Sequence, residues 1–148
     1  MSRPAWVVPT SFGCAIAGVG VSVYLTIAHY TSPTVLACSS SRVVNCERVT
    51  TSAQSQVAGI PVALLGLVWF LAMAGLCSPW AWRSPAPWIR VVRQVAVWTA
   101  MVFVLWLVYA ELFVIRAICL WCTVVHVLAF ALFVIVLLYG SEAAGSEP

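Results

Sequence analysis

The feature that most constrains the fold of this chain is one long apolar stretch, residues 91–139. It contains no glycine and no proline, and its only charged side chains are Arg93, Glu111 and Arg116. As a single helix it would be about 73 Å long, more than twice the hydrocarbon thickness of a bilayer, about 30 Å. The stretch must therefore fold back once. Because charged side chains belong at a membrane surface, we expect the reversal near 111–116.

Two more apolar segments lie upstream, so the sequence predicts an all-α membrane protein, a single bundle of four transmembrane helices. The predicted spans are about 9–30, 59–77, 92–111 and 117–139, with a long extracytoplasmic loop at 31–58 and a disordered tail at 140–148. Of the 148 residues, 64% are hydrophobic and 7% are charged, whereas a soluble domain has about a quarter charged residues. The first span lacks a small-x-small cleavage site, and we expect it to remain uncleaved.

The seven basic residues, all arginine, predict the orientation of the chain. Four of them lie with the amino terminus and the 78–93 connection, and three lie on the opposite side with the loop. The positive-inside rule then favours both termini in the cytoplasm and the loop outside the cell membrane. A net charge of +3 is too small and too dispersed for nucleic-acid binding.

Four of the six cysteines form two pairs that this topology brings to the same outward side. Cys38 and Cys46 form a C-x7-C in the loop, and Cys119 and Cys122 form a C-x-x-C at the start of the fourth span. Residues i and i+3 share a helix face, so these two sulfurs can bridge or exchange. The helix terminus and Arg116 both favour a thiolate at Cys119, and thiolates attack disulfides. Cys122 lies about one turn deeper, where it can meet a lipid-soluble oxidant.

Other interpretations of these residues stay open. The four paired cysteines could bind zinc, although C-x7-C is not the short spacing usual for such sites. Cys14 is expected to pack in its span, and Cys77 to be a spectator thiol. His126, one turn below Cys122 on the same face, could hydrogen-bond or protonate a quinone oxygen, or could be a structural histidine. His29 is expected to lie at the interface.

The motifs, taken in order, resemble the bacterial branch of the vitamin K epoxide reductase family. They are the C-x7-C pair, the C-x-R-V-x-x-S run at 46–52, the Gly-Ile-Pro at 59–61 with Gly66 following, and the C-L-W-C at 119–122. The resemblance covers about residues 9–139. It implies a four-helix bundle that surrounds a quinone, menaquinone or ubiquinone, with the loop as a cap.

The resemblance also implies roles for individual residues. Cys122 would work next to the quinone, Cys119 would exchange with Cys46, and Cys38 would meet an external dithiol. The position that matches Ser52 belongs to the active-site architecture of the family. Vertebrate members have a tyrosine at the position of His126 and an asparagine at that of Val62, so a plain quinone is preferred over vitamin K epoxide as the substrate.

The expected activity is that of an enzyme, a quinone-coupled thiol–disulfide oxidoreductase that supports disulfide formation. Its expected catalytic residues are Cys38, Cys46, Cys119 and Cys122, with Cys122, His126 and Ser52 at the quinone and no metal. Many bacterial relatives carry a fused thioredoxin-like domain. This chain ends too soon for one, so a separate thioredoxin-fold (DsbA-like) oxidoreductase is the expected partner.

Three alternatives remain. A quinone-coupled oxidase of the DsbB type has its C-x-x-C before its loop pair, the reverse of the order here. A small four-span transporter usually needs a charged residue deep in a span, and only His126 is a candidate. In a structural membrane subunit, the loop disulfide would only cross-link the loop at residues 31–58 and would have no redox role.

Overall fold

The computed structural model describes residues 3–141, and their fold is mostly helical, as predicted. Residues 1–2 and 142–148 lie outside the described residues, so most of the predicted tail does too. The described part contains six α-helices: α1 (Val7–Tyr30), α2 (Cys46–Thr50), α3 (Val62–Leu76), α4 (Pro79–Arg83), α5 (Pro87–Tyr109) and α6 (Leu120–Tyr139). Short 3-10 turns at Pro33–Val35 and Ala53–Ser55 and a two-stranded hairpin of β1 (Gln56–Val57) and β2 (Ile60–Pro61) complete the loop.

Three helical segments among residues 3–141 are long and apolar enough to cross a membrane. They are α1, the continuous segment Pro87–Ile115 that begins with α5, and α6. The apolar α3 has 15 residues, or about 22 Å at 1.5 Å per residue. The helix therefore covers less than the predicted second span.

The start of α3 differs from the prediction because residues 56–61 form a hairpin. Val57 pairs with Ile60 across a two-residue turn, in which Ala58 and Gly59 have φ values of 52° and 80°. Positive φ at both central positions is typical of the tight turns that join hairpin strands, and glycine adopts it without steric cost. The helix can begin only after this hairpin, at Val62.

The reversal of the long apolar stretch lies at Arg116, at the end of a π-helical turn. The turn spans Ala110–Ile115 and continues α5, and Arg116 then has a left-handed backbone with φ 56°. The helical chain therefore extends four residues beyond the predicted boundary at 111. Glu111 is 6% exposed, so its carboxyl group is buried inside the protein, which the sequence did not predict.

The helices pack around α1, which contacts α3 and α6 most extensively, while α5 packs mainly on α6. A central core includes Phe70, Met73 and Leu132. Gly18 lets α3 approach α1 closely, because any Cβ there would overlap the Phe70 ring. A second core at one end of the bundle surrounds Cys46 and Cys119, so the packing of the bundle positions the candidate thiols.

The opposite end of the bundle is held by a buried arginine. Arg93 is 1% exposed, and its guanidinium carbon lies 3.7 Å from the centroid of the Trp82 ring. The Arg93 Nε donates to the Leu76 carbonyl at 3.0 Å, and the Trp82 indole donates to the Ser11 hydroxyl at 3.1 Å. Cation–π contact and hydrogen bonds together offset the cost of burying this charge.

Candidate thiol–disulfide site

The loop pair forms a disulfide between Cys38 and Cys46. Cys46 is buried at the first position of α2, while Cys38 is half-buried. Asn45 fixes the start of this short helix, because its side-chain oxygen accepts a hydrogen bond from the Arg48 backbone at 2.9 Å. Cys46 is thus the buried residue of the pair, and Cys38 is the more exposed one.

The second pair lies at the amino-terminal end of α6, with both cysteines as free thiols. Cys119 is fully buried and caps the helix, since its sulfur accepts a hydrogen bond from the Cys122 backbone at 3.3 Å. A hydrogen bond from the Cys122 thiol is the main cause that lowers the pKa of Cys119, and the backbone N–H groups of Cys122 and Trp121 add to it. The helix terminus therefore contributes as expected through its backbone N–H groups, whereas Arg116, whose side chain is exposed, is not among the causes.

A backbone bridge joins the segments that lead into Cys46 and Cys119. Val44 and Ile118 pair in a parallel bridge. Ile118 N donates to the Val43 carbonyl at 2.7 Å, and Asn45 N donates to the Ile118 carbonyl at 3.0 Å. Cys46 and Cys119 then enter the same buried core, so the structure brings the two pairs together.

Two aromatic side chains that we did not single out from the sequence hold the segment next to Cys38. The Tyr24 hydroxyl donates to the Val35 carbonyl at 2.8 Å and accepts from the Ala37 backbone at 2.9 Å. The indole of Trp121 donates to the Ala37 carbonyl at 3.2 Å, and its ring packs edge-on against Tyr24 at 5.0 Å. Trp121 is one of the two residues between Cys119 and Cys122, so the C-L-W-C motif itself ties the loop to α6.

A cavity of about 320 Å³ lies between α1, α3, α5 and α6 beneath the loop. Cys122, His126, Ser52 and His29 line it among mostly apolar side chains. The cavity thus brings together Cys122, His126 and Ser52, which were predicted to lie at the quinone. His126 is buried. His29, which we expected at the membrane interface, also lines the cavity.

Polar side chains contribute only a small part of the surface of the cavity wall. The Ser52 hydroxyl donates to the Val49 carbonyl at 2.7 Å, and this bond fixes the turn that follows α2. The apolar part of the wall includes Leu25, Phe70, Phe103, Val104 and Val125. A mostly apolar pocket with a few polar groups is typical of sites for small organic ligands.

Glu111 also lines this cavity, a position that its place in the sequence did not predict. Its carboxylate Oε2 accepts a hydrogen bond from the Cys119 backbone at 3.5 Å. We assigned Glu111 to the membrane surface because it is charged and lies near a helix end. The signal that could have located it is its position, eight residues before Cys119 in a segment that is otherwise apolar as far as Arg116.

The remaining cysteines lie elsewhere. Cys77 is buried in the central core, and Cys14 packs against that core. Among residues 3–141, no three His, Cys, Asp or Glu side chains are grouped closely enough to hold a metal ion.

The model of the vitamin K epoxide reductase family matches residues 9–137. A search of curated proteins finds no match for the chain. The matched residues contain every motif described above and nearly all of the three long apolar helices. The family that the motifs predicted is thereby confirmed: the chain belongs to the vitamin K epoxide reductase family and is a membrane protein with thiol oxidoreductase character.

Proposed function

We propose that this protein oxidises the dithiol of an extracytoplasmic thioredoxin-fold partner and reduces a membrane quinone, menaquinone or ubiquinone. The observation that carries the proposal is the parallel bridge between Val44 and Ile118. It aligns the loop pair with the C-x-x-C pair, so that Cys46 and Cys119 pack in one core. A chain of disulfide exchanges requires this kind of proximity.

The relay begins at Cys38, the more exposed residue of the loop disulfide. A thiolate of the partner attacks Cys38, and the partner leaves as a disulfide while Cys38 and Cys46 become thiols. Cys46 then attacks Cys119 of an oxidised Cys119–Cys122 pair and releases Cys122. Cys38 next attacks Cys46, which restores the loop disulfide and leaves Cys119 and Cys122 reduced.

In the last step the reduced C-x-x-C pair passes two electrons to the quinone and becomes a disulfide again. Cys122 supports this role because it lies on the cavity wall, while Cys119 faces the loop. The cavity volume, about 320 Å³, is within the range of small-ligand pockets. His126 and Ser52 supply polar atoms on its wall, and we assign them to the quinone oxygens.

The proposal includes the topology and the location of the chain. α3 becomes a fourth crossing together with the hairpin before it and α4 after it, which compensates for its 15 residues. The end of the bundle that carries Cys46 and Cys119 faces the extracytoplasmic side of the cell membrane. The Arg93 end then faces the cytoplasm, in agreement with the positive-inside rule.

The relay can be tested with purified protein, a reduced thioredoxin-fold partner and a soluble quinone analogue. We expect Cys119→Ala and Cys122→Ala each to abolish quinone reduction, because neither variant can form the second disulfide. Cys14→Ala is the matched control and should retain wild-type activity, since Cys14 packs against the central core. Activity that survives the loss of Cys119 or Cys122 would refute the proposal.

The contact between the pairs can be tested separately by trapping. In Cys122→Ala, the Cys119 thiolate can attack Cys46 of the loop disulfide and release Cys38 as a thiol. Alkylation of the released Cys38 should then trap the Cys46–Cys119 bridge. Peptide mapping under non-reducing conditions would detect it. A variant in which Cys119 is found bridged only to Cys38, or to no loop cysteine, would contradict the relay order.

A further inference from the structure

Glu111 is a buried acidic side chain that the relay described above does not use. It is 6% exposed and lies in the π-helical turn Ala110–Ile115. π-Helical turns are rare, and they occur frequently at functional sites. A carboxyl group in an apolar interior is costly unless it has a partner or a task, so its surroundings deserve a chemical explanation.

The carboxyl group of Glu111 connects the two parts of the candidate site. On one side its Oε2 accepts the hydrogen bond from the Cys119 backbone. On the other side it lines the cavity together with Cys122 and His126. Glu111 therefore meets both the Cys119 end of the C-x-x-C pair and the proposed quinone pocket.

The proposed reaction needs a proton that the thiols alone do not supply. Reduction of a quinone to a quinol consumes two electrons and two protons. The hydrogen bonds to Cys119 favour its thiolate, and a pair with Cys119 as thiolate and Cys122 as thiol carries a single proton. Because the wall of the cavity is mostly apolar, the second proton should come from a side chain on that wall.

We propose that Glu111 stores the second proton, which the Cys119 thiolate does not carry, and delivers it to the quinone. This inference rests on the proposed function. Before the step, the site holds the Cys119 thiolate, the Cys122 thiol and the Glu111 carboxylic acid. After the step, it holds the Cys119–Cys122 disulfide, the Glu111 carboxylate and a quinol. One S–S bond forms, two electrons leave the sulfurs, and the protons of Cys122 and Glu111 end on the two quinol oxygens.

The transfer of electrons from the loop pair returns the site to its starting protonation state. When the reduced loop pair transfers its electrons to the Cys119–Cys122 disulfide, Cys38 and Cys46 lose two protons as they form their own disulfide. One proton returns to Cys122 and the other returns to Glu111. Charge and proton number are unchanged over the whole cycle, so Glu111 is a carrier and not a consumed reagent.

Glu111→Gln tests the inference, because glutamine keeps the shape and the hydrogen-bond acceptor but cannot carry a proton. Disulfide exchange between Cys46 and Cys119, measured by trapping in a Cys122→Ala background, should proceed at the wild-type rate. Single-turnover quinone reduction by the pre-reduced protein should fall by about 100-fold, at the low end of the range for lost acid–base catalysis. Glu111→Asp should recover part of that rate.

Redox-difference infrared spectroscopy without quinone gives a second readout. When the Cys119–Cys122 pair is reduced by a dithiol, the carbonyl band of a protonated carboxyl group should appear, and it should disappear on oxidation. Glu111→Gln should abolish this band. Glu47→Gln, the same substitution at an exposed loop position, should leave both the band and the quinone rate unchanged.

The outcomes separate this inference from the proposed function. If the wild-type protein reduces no quinone, the proposed function fails. If the wild type is active and Glu111→Gln matches it in rate, the inference about Glu111 is overturned and the relay stands. Loss of disulfide exchange together with quinone reduction in Glu111→Gln would also overturn it, since that pattern is expected of a residue that only positions Cys119.

Discussion

The contact between Gly18 and Phe70 allows a quantitative test of how α1 and α3 are packed. Gly18 is buried in α1, and a Cβ at that position would overlap the Phe70 ring, with the ring Cγ at 2.6 Å. Phe70 cannot move away easily, because it is 1% exposed and packs edge-on against Trp69 at 4.9 Å. Gly18→Ala should therefore force the two helices apart or displace the ring into the cavity that Phe70 lines.

The size of the effect follows from comparison with a glycine in the same helix. Gly20 has no atom within 4 Å of its would-be Cβ, so Gly20→Ala should gain only the helix preference of alanine, about 0.5–1 kcal/mol. Gly18→Ala gains the same helix preference, but overpacking against Phe70 lowers the free energy of unfolding by about 1–3 kcal/mol. The difference between the two variants isolates that clash, and it should be relieved when Phe70 is also changed to leucine.

The assay is reversible unfolding of the purified protein in detergent, with quinone affinity measured in parallel. We expect Gly18→Ala to unfold at lower denaturant concentration than Gly20→Ala and to bind a quinone analogue more weakly, because Phe70 is part of the cavity wall. The double variant Gly18→Ala/Phe70→Leu should recover stability through a coupling of about 0.5–3 kcal/mol. Equal stability of Gly18→Ala and Gly20→Ala would refute the packing argument.

Three further predictions concern other parts of the molecule. The lowered pKa of Cys119 means that its thiolate persists to lower pH than that of an ordinary cysteine. Cys122→Ala removes the main hydrogen bond and should move the midpoint of thiolate absorbance to higher pH; an unchanged midpoint would contradict this cause. Trp82→Ala should lower the free energy of unfolding by about 3–5 kcal/mol but leave quinone reduction by the folded protein intact, since Trp82 packs near Ile135 at the far end of α6. Tyr24→Phe removes two hydrogen bonds, each worth about 0.5–1.5 kcal/mol, and should speed hydrogen exchange around Cys38; exchange equal to wild type would show that these bonds do not hold the loop.

The apolar pattern predicted the mostly helical fold well, because the long stretch without glycine or proline is too long for one crossing. The reversal was expected between 111 and 116, and the structure places the left-handed residue at Arg116. The family was also predictable from sequence, since its motifs occur in order along the chain, and the match over residues 9–137 confirms it. These predictions rest on apolar patterns that extend over many residues and on motifs with fixed spacings.

Features that depend on tertiary contacts were not predictable in the same way. The burial of Glu111 depends on a π-helical turn and on the approach of Cys119, and neither leaves a periodic signal. The late start of α3 depends on a hairpin with two-residue strands, which is too short for an alternating pattern to reveal. Tyr24 binds the backbone of a loop residue thirteen positions away, so its type alone did not indicate a role at the site.

The bridge that aligns Cys46 with Cys119 is made of main-chain atoms at positions 43, 45 and 118. Amide and carbonyl groups are common to nearly all residue types, so many amino acids other than proline can occupy these positions without loss of the pairing. A comparison of motifs alone would therefore overlook the element that docks the loop. Engineers who wish to retune the reactivity of the relay can vary the side chains at 43 and 118, provided that the number of residues between each of them and its cysteine stays the same. Asn45 should be kept, because its side chain also caps α2.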